Sequence, residues 1–510
     1  MWCYPKAETW FNCGGLVIQH PRPIVNLNKG KGGMTQALII WFRRDLRLDD
    51  HPMLQAALAT GRPLIPVFIF DPETEALGAA ARWRLGVGLA QFGTALQGIG
   101  SRFILRKGNA AQVLDDLLAQ TGAAGVMWQR MYDPASTARD ASIKASLRGR
   151  GLIGDSHSGA LLIEPWDVQT GQGGPYRVYS PFWRAIAGRD FGAAVRAPKF
   201  LHAPDVWPVS DDLASWRMGA DMRRGGDVLA QYATVGEAGA LARLDYFIAQ
   251  KIDAYKEQRD FVGVDANSGL SENLAWGEIG PRRIWHAAEG PLQSGARGAE
   301  HFRKELVWRE FAYHLMHHFP HILTRNWREQ WDSFPWAGEG PQAEAWRRGM
   351  TGEPFVDAAM REVYVTGRMH NRARMIVASY LTKHLMTDWR LGADWFSEVL
   401  TDFDPASNAM GWQWVAGSGP DAAPYFRVFN PAGQAEKFDD DHAYRRKWIA
   451  EGQAHPPATA QQFFDAIPRG WGMSAAQRYP APIIDLAAGR ARALAAYSAK
   501  GGEKIAEIAP

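Results

Sequence analysis

The chain has 510 residues, a net charge of +3, 46% hydrophobic and 22% charged residues. These values exclude a disordered chain and leave room for two or three domains, each with its own core; no apolar run approaches the roughly 20 residues of a membrane span. So small a charge does not by itself indicate nucleic acid, because a near-neutral total can conceal a basic face.

In chain order, residues 1–33 read as a flexible extension. They hold the only two cysteines, Cys3 and Cys13, lack the apolar core of a secretory signal, and end in Lys29-Gly30-Lys31-Gly32-Gly33. Met34 is expected as the true start, and a body without thiols fits a cytoplasmic protein. Short apolar runs at Ala37 to Phe42, Leu64 to Phe70, Phe103 to Leu105 and Gly125 to Trp128 alternate with helical stretches near His51 to Ala59, Ala79 to Leu96, Ala110 to Gln120 and Ser136 to Leu147. Alternation of this kind predicts a doubly wound parallel sheet over 34–163. Trp41-Phe42-Arg43-Arg44-Asp45-Leu46-Arg47 then falls beyond the carboxyl end of the first strand, where such sheets bind ligands, although an Arg-rich strand end also serves as a solvated cap. No GxGxxG or P-loop follows any of the strands, which argues against an ordinary dinucleotide or NTP site.

Residues 164–235, opening on EPWDVQTGQGGPYRVYSPFW, are Gly/Pro-punctuated and read as a long ordered connector. From 236 to 510 the pattern is helix after helix, beginning with the apolar face of Leu241, Leu244, Phe247, Ile248 and Ile252, so this half is expected to be all-α.

Several clusters in the helical half carry chemistry. Tyr255 and Arg259 precede the turn Asn267-Ser268-Gly269-Leu270-Ser271, whose small residues suit phosphate as well as an ordinary Ser N-cap. On one predicted helix Glu305 and Trp308 share a face, with Arg309 next round; His314, His317, His318 and His321 follow, without the glutamate of an HExxH zinc motif, and no metal is expected. Arg368, Arg372 and Arg374 accompany Asn371 and Met375, the latter two at i, i+4. Finally DFDPASNAMGWQWVAGSGPDAAPYFRVFNP, residues 402 to 431, joins Asp402, Asp404 and Asn408 to Trp412 and Trp414, then to a Gly-rich turn and Arg427. Short acceptors interleaved with indoles describe a wall that meets a flat ligand, or else a Trp-rich packing corner.

The combination TGRMHNRARM, the 402–431 stretch with GQAEKFD, WFRRDLRLDDHP near the start and LIEPWDV in the connector resembles the photolyase/cryptochrome family from about Leu38 to Tyr497, and most resembles its class I cyclobutane pyrimidine dimer photolyases. The resemblance implies an N-terminal α/β domain that takes an antenna pigment, folate or deazaflavin, and a larger all-α domain that holds FAD and UV-damaged DNA, acting as a monomer away from membranes. It implies FAD phosphates at Tyr255 and residues 267–271, Arg374 paired with Asp402 beside the flavin ring, Asp404 on the adenosine side and Asn408 facing the reactive flavin nitrogen. An asparagine there accompanies the reduced anion used in repair, where plant cryptochromes carry an acid. Trp412, Trp389 and Trp336 match the family's electron-transfer chain. Glu305, Trp308, Asn371, Met375 and Trp414 match the dimer pocket, with Glu305 expected to be protonated, and Arg259, Arg309, Arg372, Arg427 and Gln434 match the DNA side. The chain departs from the family pattern at Asn267 (commonly Thr), Gly269 (commonly Arg), Phe302 (a flavin-side Trp) and Arg368 (commonly Trp).

Overall fold

A computed structural model describes residues 36–222, 224–421 and 427–499; the extension through residue 33, both cysteines and Met34 lie outside them. Five parallel strands form one sheet: β1 (Leu38–Phe42), β2 (Leu64–Phe70), β3 (Ile104–Lys107), β4 (Gly125–Gln129) and β5 (Ile153–His157), in the order β3-β2-β1-β4-β5. β1 lies at the centre, pairing Leu38 with Leu64 on one side and Ile39 with Val126 on the other. Because side chains alternate across a strand, Leu38, Ile40 and Phe42 meet α1 (Pro52–Ala59) and α2 (Ala79–Gly98) on one face. Ile39 and Trp41 meet α3 (Ala110–Thr121) and α4 (Pro134–Gly149) on the other. The sheet is therefore doubly wound, as its apolar runs predict. β5 has no such run: its sequence IGDSH buries only Gly154, which is what a half-exposed edge strand requires and why hydrophobic patterning passes over it.

The connector crosses to the helical half and is less irregular than its Pro and Gly content suggests, since it contains the amphipathic helix α5 (Tyr179–Ile186), which buries Tyr179, Phe182 and Ile186. From there the described chain is helical. The elements that matter below are α6 (Glu237–Gln250), α7 (Ala299–His318), α8 (Pro354–Thr366), α9 (Asn371–Ser379), α10 (Trp389–Val399) and α11 (Pro405–Ala416). Their largest apolar core joins Phe355 and Val363 of α8, Ile376 and Val377 of α9, Phe396 of α10 and Trp412 of α11. The two halves are locked by Arg84 of α2, fully buried between Glu272 and Glu278. Removing one member of so buried a set would strand a charge and cost about 3–5 kcal/mol. No helix among the described residues is long and apolar enough to cross a membrane.

Candidate functional site

α11 is the centre of the site. Asp404 is its N-cap and Pro405 occupies the first turn, while Gly417, at φ 87°, ends it in the left-handed conformation that glycine adopts without strain. Asn408 and Trp412, one turn apart, face α10 together. The Asn408 amide donates to the Ala393 carbonyl at 3.1 Å, and Trp412 lies on Gly392. Trp389 begins α10 and donates its indole N–H to Asn326 Oδ1 at 2.9 Å. Trp336 stands beside Trp331, ring centres 5.9 Å apart, and is half-buried where Trp412 and Trp389 are 3% and 1% exposed. Of the three tryptophans expected on the electron path, Trp336 is thus the least buried.

Arg374 donates to Asp402 Oδ2 at 2.7 Å and to the Met369 carbonyl at 2.9 Å. Asp402 Oδ1 is buried without a hydrogen-bond partner, a costly condition that a ligand N–H would relieve. The donor set fits a flavin ring here on that ground. Asp404 answers less well to its expected place. Its carboxylate accepts the Ser407 N–H at 2.8 Å, as an N-cap does, and the Tyr313 hydroxyl at 2.6 Å, so both oxygens are engaged within the protein.

At the expected phosphate turn the N-cap alternative fails. The helix starts at Ser271 with Leu270 at the cap and no side-chain cap bond, while Ser268 Oγ accepts the Leu270 N–H at 3.4 Å. The Asn267 amide nitrogen lies 2.8 Å from His370 Nε2. Tyr255 is buried against Phe247 and Phe302, and Phe302, expected at the flavin, fills this core at 6% exposure. Two of the departures explain each other. Gly269 has φ 66°, and a β-carbon there would come within 3.0 Å of Arg368 Nη2; Arg243 Nη1 donates to the Gly269 carbonyl at 2.7 Å. The guanidinium groups of Arg368 and Arg243 therefore stand beside Gly269. Burial, then the neighbouring Arg368 charge, lowers the Arg243 pKa to about 10.

Of the expected lesion residues, Glu305 and Trp308 lie on one face of α7, but Glu305 forms an ion pair with Arg259, with His301 at 3.6 Å. Trp308 is covered by Tyr179, the rings stacked at 3.6 Å and 7°. Asn371 and Met375 occupy α9, exposed and half-buried respectively. The half-buried Trp414 donates to the Asp421 carbonyl at 3.2 Å.

The expected DNA contacts divide. Arg372 pairs with Asp260 at 2.5 Å and lies over Phe438. Arg427 is exposed, its guanidinium 5.8 Å from the Phe429 ring centre. Gln434 is half-buried, its Oε1 without a partner. Arg309 is a correction: one residue on a helix is a rotation of about 100°, and this turns Arg309 away from the Trp308 face to the Ala160 carbonyl at 2.8 Å.

Arg309 instead lines a cavity of about 440 Å³ between the two halves, with Arg44, Arg139, Tyr132, Trp276 and Tyr313. The carboxyl end of β1 does border it, as WFRRDLR suggests, but Arg43 and Arg47 are buried and spent on protein partners such as Asp140 and the Gly277 carbonyl. Tyr179, Asp421, Gly392 and Asp260 were invisible to sequence reasoning, because each acts on a residue far away in the chain. The histidines serve the fold: His314 Nδ1 donates to the Pro165 carbonyl at 3.1 Å and its Nε2 accepts the Tyr176 N–H at 2.9 Å.

Residues 38–199 match the DNA photolyase family model, and 302–499 match the FAD binding domain of DNA photolyase. The chain is 47% identical over 473 residues, covering 91% of itself and 98% of the relative, to a deoxyribodipyrimidine photo-lyase of Agrobacterium fabrum. It is 32% identical to cryptochrome-2 of Arabidopsis thaliana, over 89% of this chain and 77% of that one. A crystal structure of a bacterial class III photolyase from Agrobacterium tumefaciens superimposes with a TM-score of 0.84 at 45% identity, covering 93% of this chain and all of that one. This corrects the class I assignment. With models matching both halves and a relative 47% identical along nearly its whole length, the chain belongs to the photolyase/cryptochrome family.

Proposed function

We propose that the chain repairs cyclobutane pyrimidine dimers in DNA under light. What carries this reading is that a single helix, α11, bears Asn408, Trp412 and Trp414, the residues expected at cofactor, electron path and lesion; the 47% identity to a deoxyribodipyrimidine photo-lyase supports it. Bound, reduced FAD supplies one photoexcited electron that opens the cyclobutane ring and then returns, with no net redox change.

The chain's own residues bind and orient. The Arg374–Asp402 pair and the Asn408 amide present fixed polar groups to the ring, and residues 267–271, flanked by Arg243 and Arg368, offer donors to phosphate. Trp308 and Trp414 offer apolar walls to a dimer extruded from the helix. Such base flipping is general to enzymes that act on a base, photolyases among them, and is least costly for a damaged one. Glu305 must exchange Arg259 for a pyrimidine when the dimer arrives, which frees Arg259 for a phosphate. Arg372 and Arg427 then hold the backbone without reading sequence.

The cavity between the halves, with arginines beside Trp276 and Tyr313, suits an acidic aromatic antenna of the folate or deazaflavin kind. The same reading divides the chain into an extension (1–33), an antenna-binding domain (34–163), a connector (164–235) and an FAD- and DNA-binding domain (236–510), working as a cytoplasmic monomer. A photoreceptor role, suggested by the 32% identity to a plant cryptochrome, would need the flavin but not the lesion residues. The deciding experiment gives purified, reduced protein UV-irradiated oligothymidine. Restoration in blue or near-ultraviolet light and none in darkness is expected; no restoration by protein that holds reduced FAD would overturn the repair reading.

A further inference from the structure

The indoles expected to wall the lesion pocket lie more than 100 residues apart in the chain, Trp308 on α7 and Trp414 on α11. One residue outside both helices touches what holds each of them. Asp421 Oδ2 accepts the backbone N–H of Tyr179 at 3.2 Å, and the Tyr179 ring is the one stacked on Trp308 at 3.6 Å. The backbone carbonyl of the same Asp421 accepts the indole N–H of Trp414, also at 3.2 Å.

Neither attachment has slack. The Tyr179 hydroxyl donates to the Lys304 carbonyl at 2.6 Å, one turn before Trp308, so its ring is fixed at the amide by Asp421 and at the phenol by α7. On the other side the loop after α11 lies tight against that helix. The Gly419 N–H donates to the Gln413 carbonyl at 2.9 Å, and a β-carbon at Gly419 would meet the Gln413 carbonyl carbon at 2.8 Å. Asp421 itself sits at φ 51°, a left-handed conformation that aspartate tolerates better than most residues and that aims its carboxylate and carbonyl at the two attachments.

We infer that Asp421 is a positioning residue that ties Tyr179 to Trp414 and so sets the separation of the two indole walls. The inference rests on the repair reading above and adds to it the element that fixes the pocket's width. A slot lined by flat rings discriminates by spacing, because stacking on both walls is available only to a guest of the right thickness. Undamaged strands, held by phosphate contacts at the rim, do not depend on that spacing.

The test compares holoprotein with wild-type sequence, Asp421→Asn, Asp421→Gly and Asp421→Ala for binding, in darkness, to irradiated and unirradiated oligothymidine. Asn keeps an oxygen acceptor for the Tyr179 N–H. Gly removes it while relieving the left-handed backbone, so its effect is not one of strain. Gly and Ala are expected to lower the preference for the irradiated strand about ten-fold, the scale of one lost buried hydrogen bond, with flavin content and affinity for the unirradiated strand unchanged, and Asn is expected to restore it. The inference is overturned if Gly keeps the wild-type preference, if Asn falls as far as Gly, or if affinity for both strands drops together. A wild-type chain with no preference for irradiated DNA would instead overturn the repair reading, and this inference with it.

Discussion

The indole of Trp412 lies across the backbone of Gly392 so closely that a β-carbon at 392 would fall 2.1 Å from Cη2. In an ordinary helix interior, replacing glycine by alanine gains about 1 kcal/mol. Here that gain is opposed by overpacking of a ring at 3% exposure, which costs about 1–3 kcal/mol and more where neighbours cannot move. Gly392→Ala is expected to lower the unfolding midpoint and to slow light-driven reduction of bound flavin, by displacing Trp412, which is expected to belong to the electron path. A midpoint and a photoreduction rate both equal to wild type would show that the ring is not held there.

Glu305 and Arg259 form an ion pair on the face proposed to meet the lesion. Glu305→Gln keeps a hydrogen-bonding side chain of the same length but releases Arg259 for a phosphate. Binding to undamaged single strands is expected to tighten, and its log–log salt dependence to steepen by about 0.7, the increment for one added phosphate contact. An unchanged slope would mean that Arg259 does not reach the strand.

The Asn408 amide donates to the Ala393 carbonyl. An ionised aspartate at 408 would set a carboxylate against that carbonyl, whereas a protonated one could donate to it, so Asn408→Asp favours a neutral acid in the place expected to face the flavin. The visible spectrum of the partly reduced cofactor is therefore expected to shift towards its protonated form. A spectrum identical to wild type through a full reductive titration would count against placing Asn408 beside the reactive nitrogen.

His314 is buried between the connector and α7, and burial, then the adjacent His318, depresses its pKa to about 4. The folded state therefore resists a proton that the unfolded chain accepts near pH 6.5. Stability is lost as pH falls from about 6.5 to 4, by up to about 1.4 kcal/mol per pH unit for this one group. Glu310 on the same helix, raised by burial to about 7, acts in the opposite sense between about pH 7 and 4.5. His314→Gln, which removes only the first effect, is expected to shallow the decline of the thermal midpoint between pH 6.5 and 4. Parallel curves for variant and wild type would place the acid sensitivity elsewhere.

Much of the molecule is legible in order along the chain. The apolar runs of β1, β2 and β4, the 3.6-residue period of the helices, and the placing of Asn408 and Trp412 on one face of α11 are local properties, carried by residues a few positions apart. So are the motifs behind the family resemblance. What the sequence could not decide are pairings between distant segments: the edge strand β5, stabilised by β4 and not by apolar residues of its own; the turn of Arg309 away from the Trp308 face; the capture of Arg259 by Glu305 and of Arg372 by Asp260; and the approach of Arg368 and Arg243 to Gly269. A side chain's charge and shape are written at its own position, but its partner is whichever group the packing brings within about 3 Å. For that reason the sequence names candidate residues, and only the tertiary structure shows that Tyr179 stacks on Trp308 and that Asp421 accepts the indole N–H of Trp414.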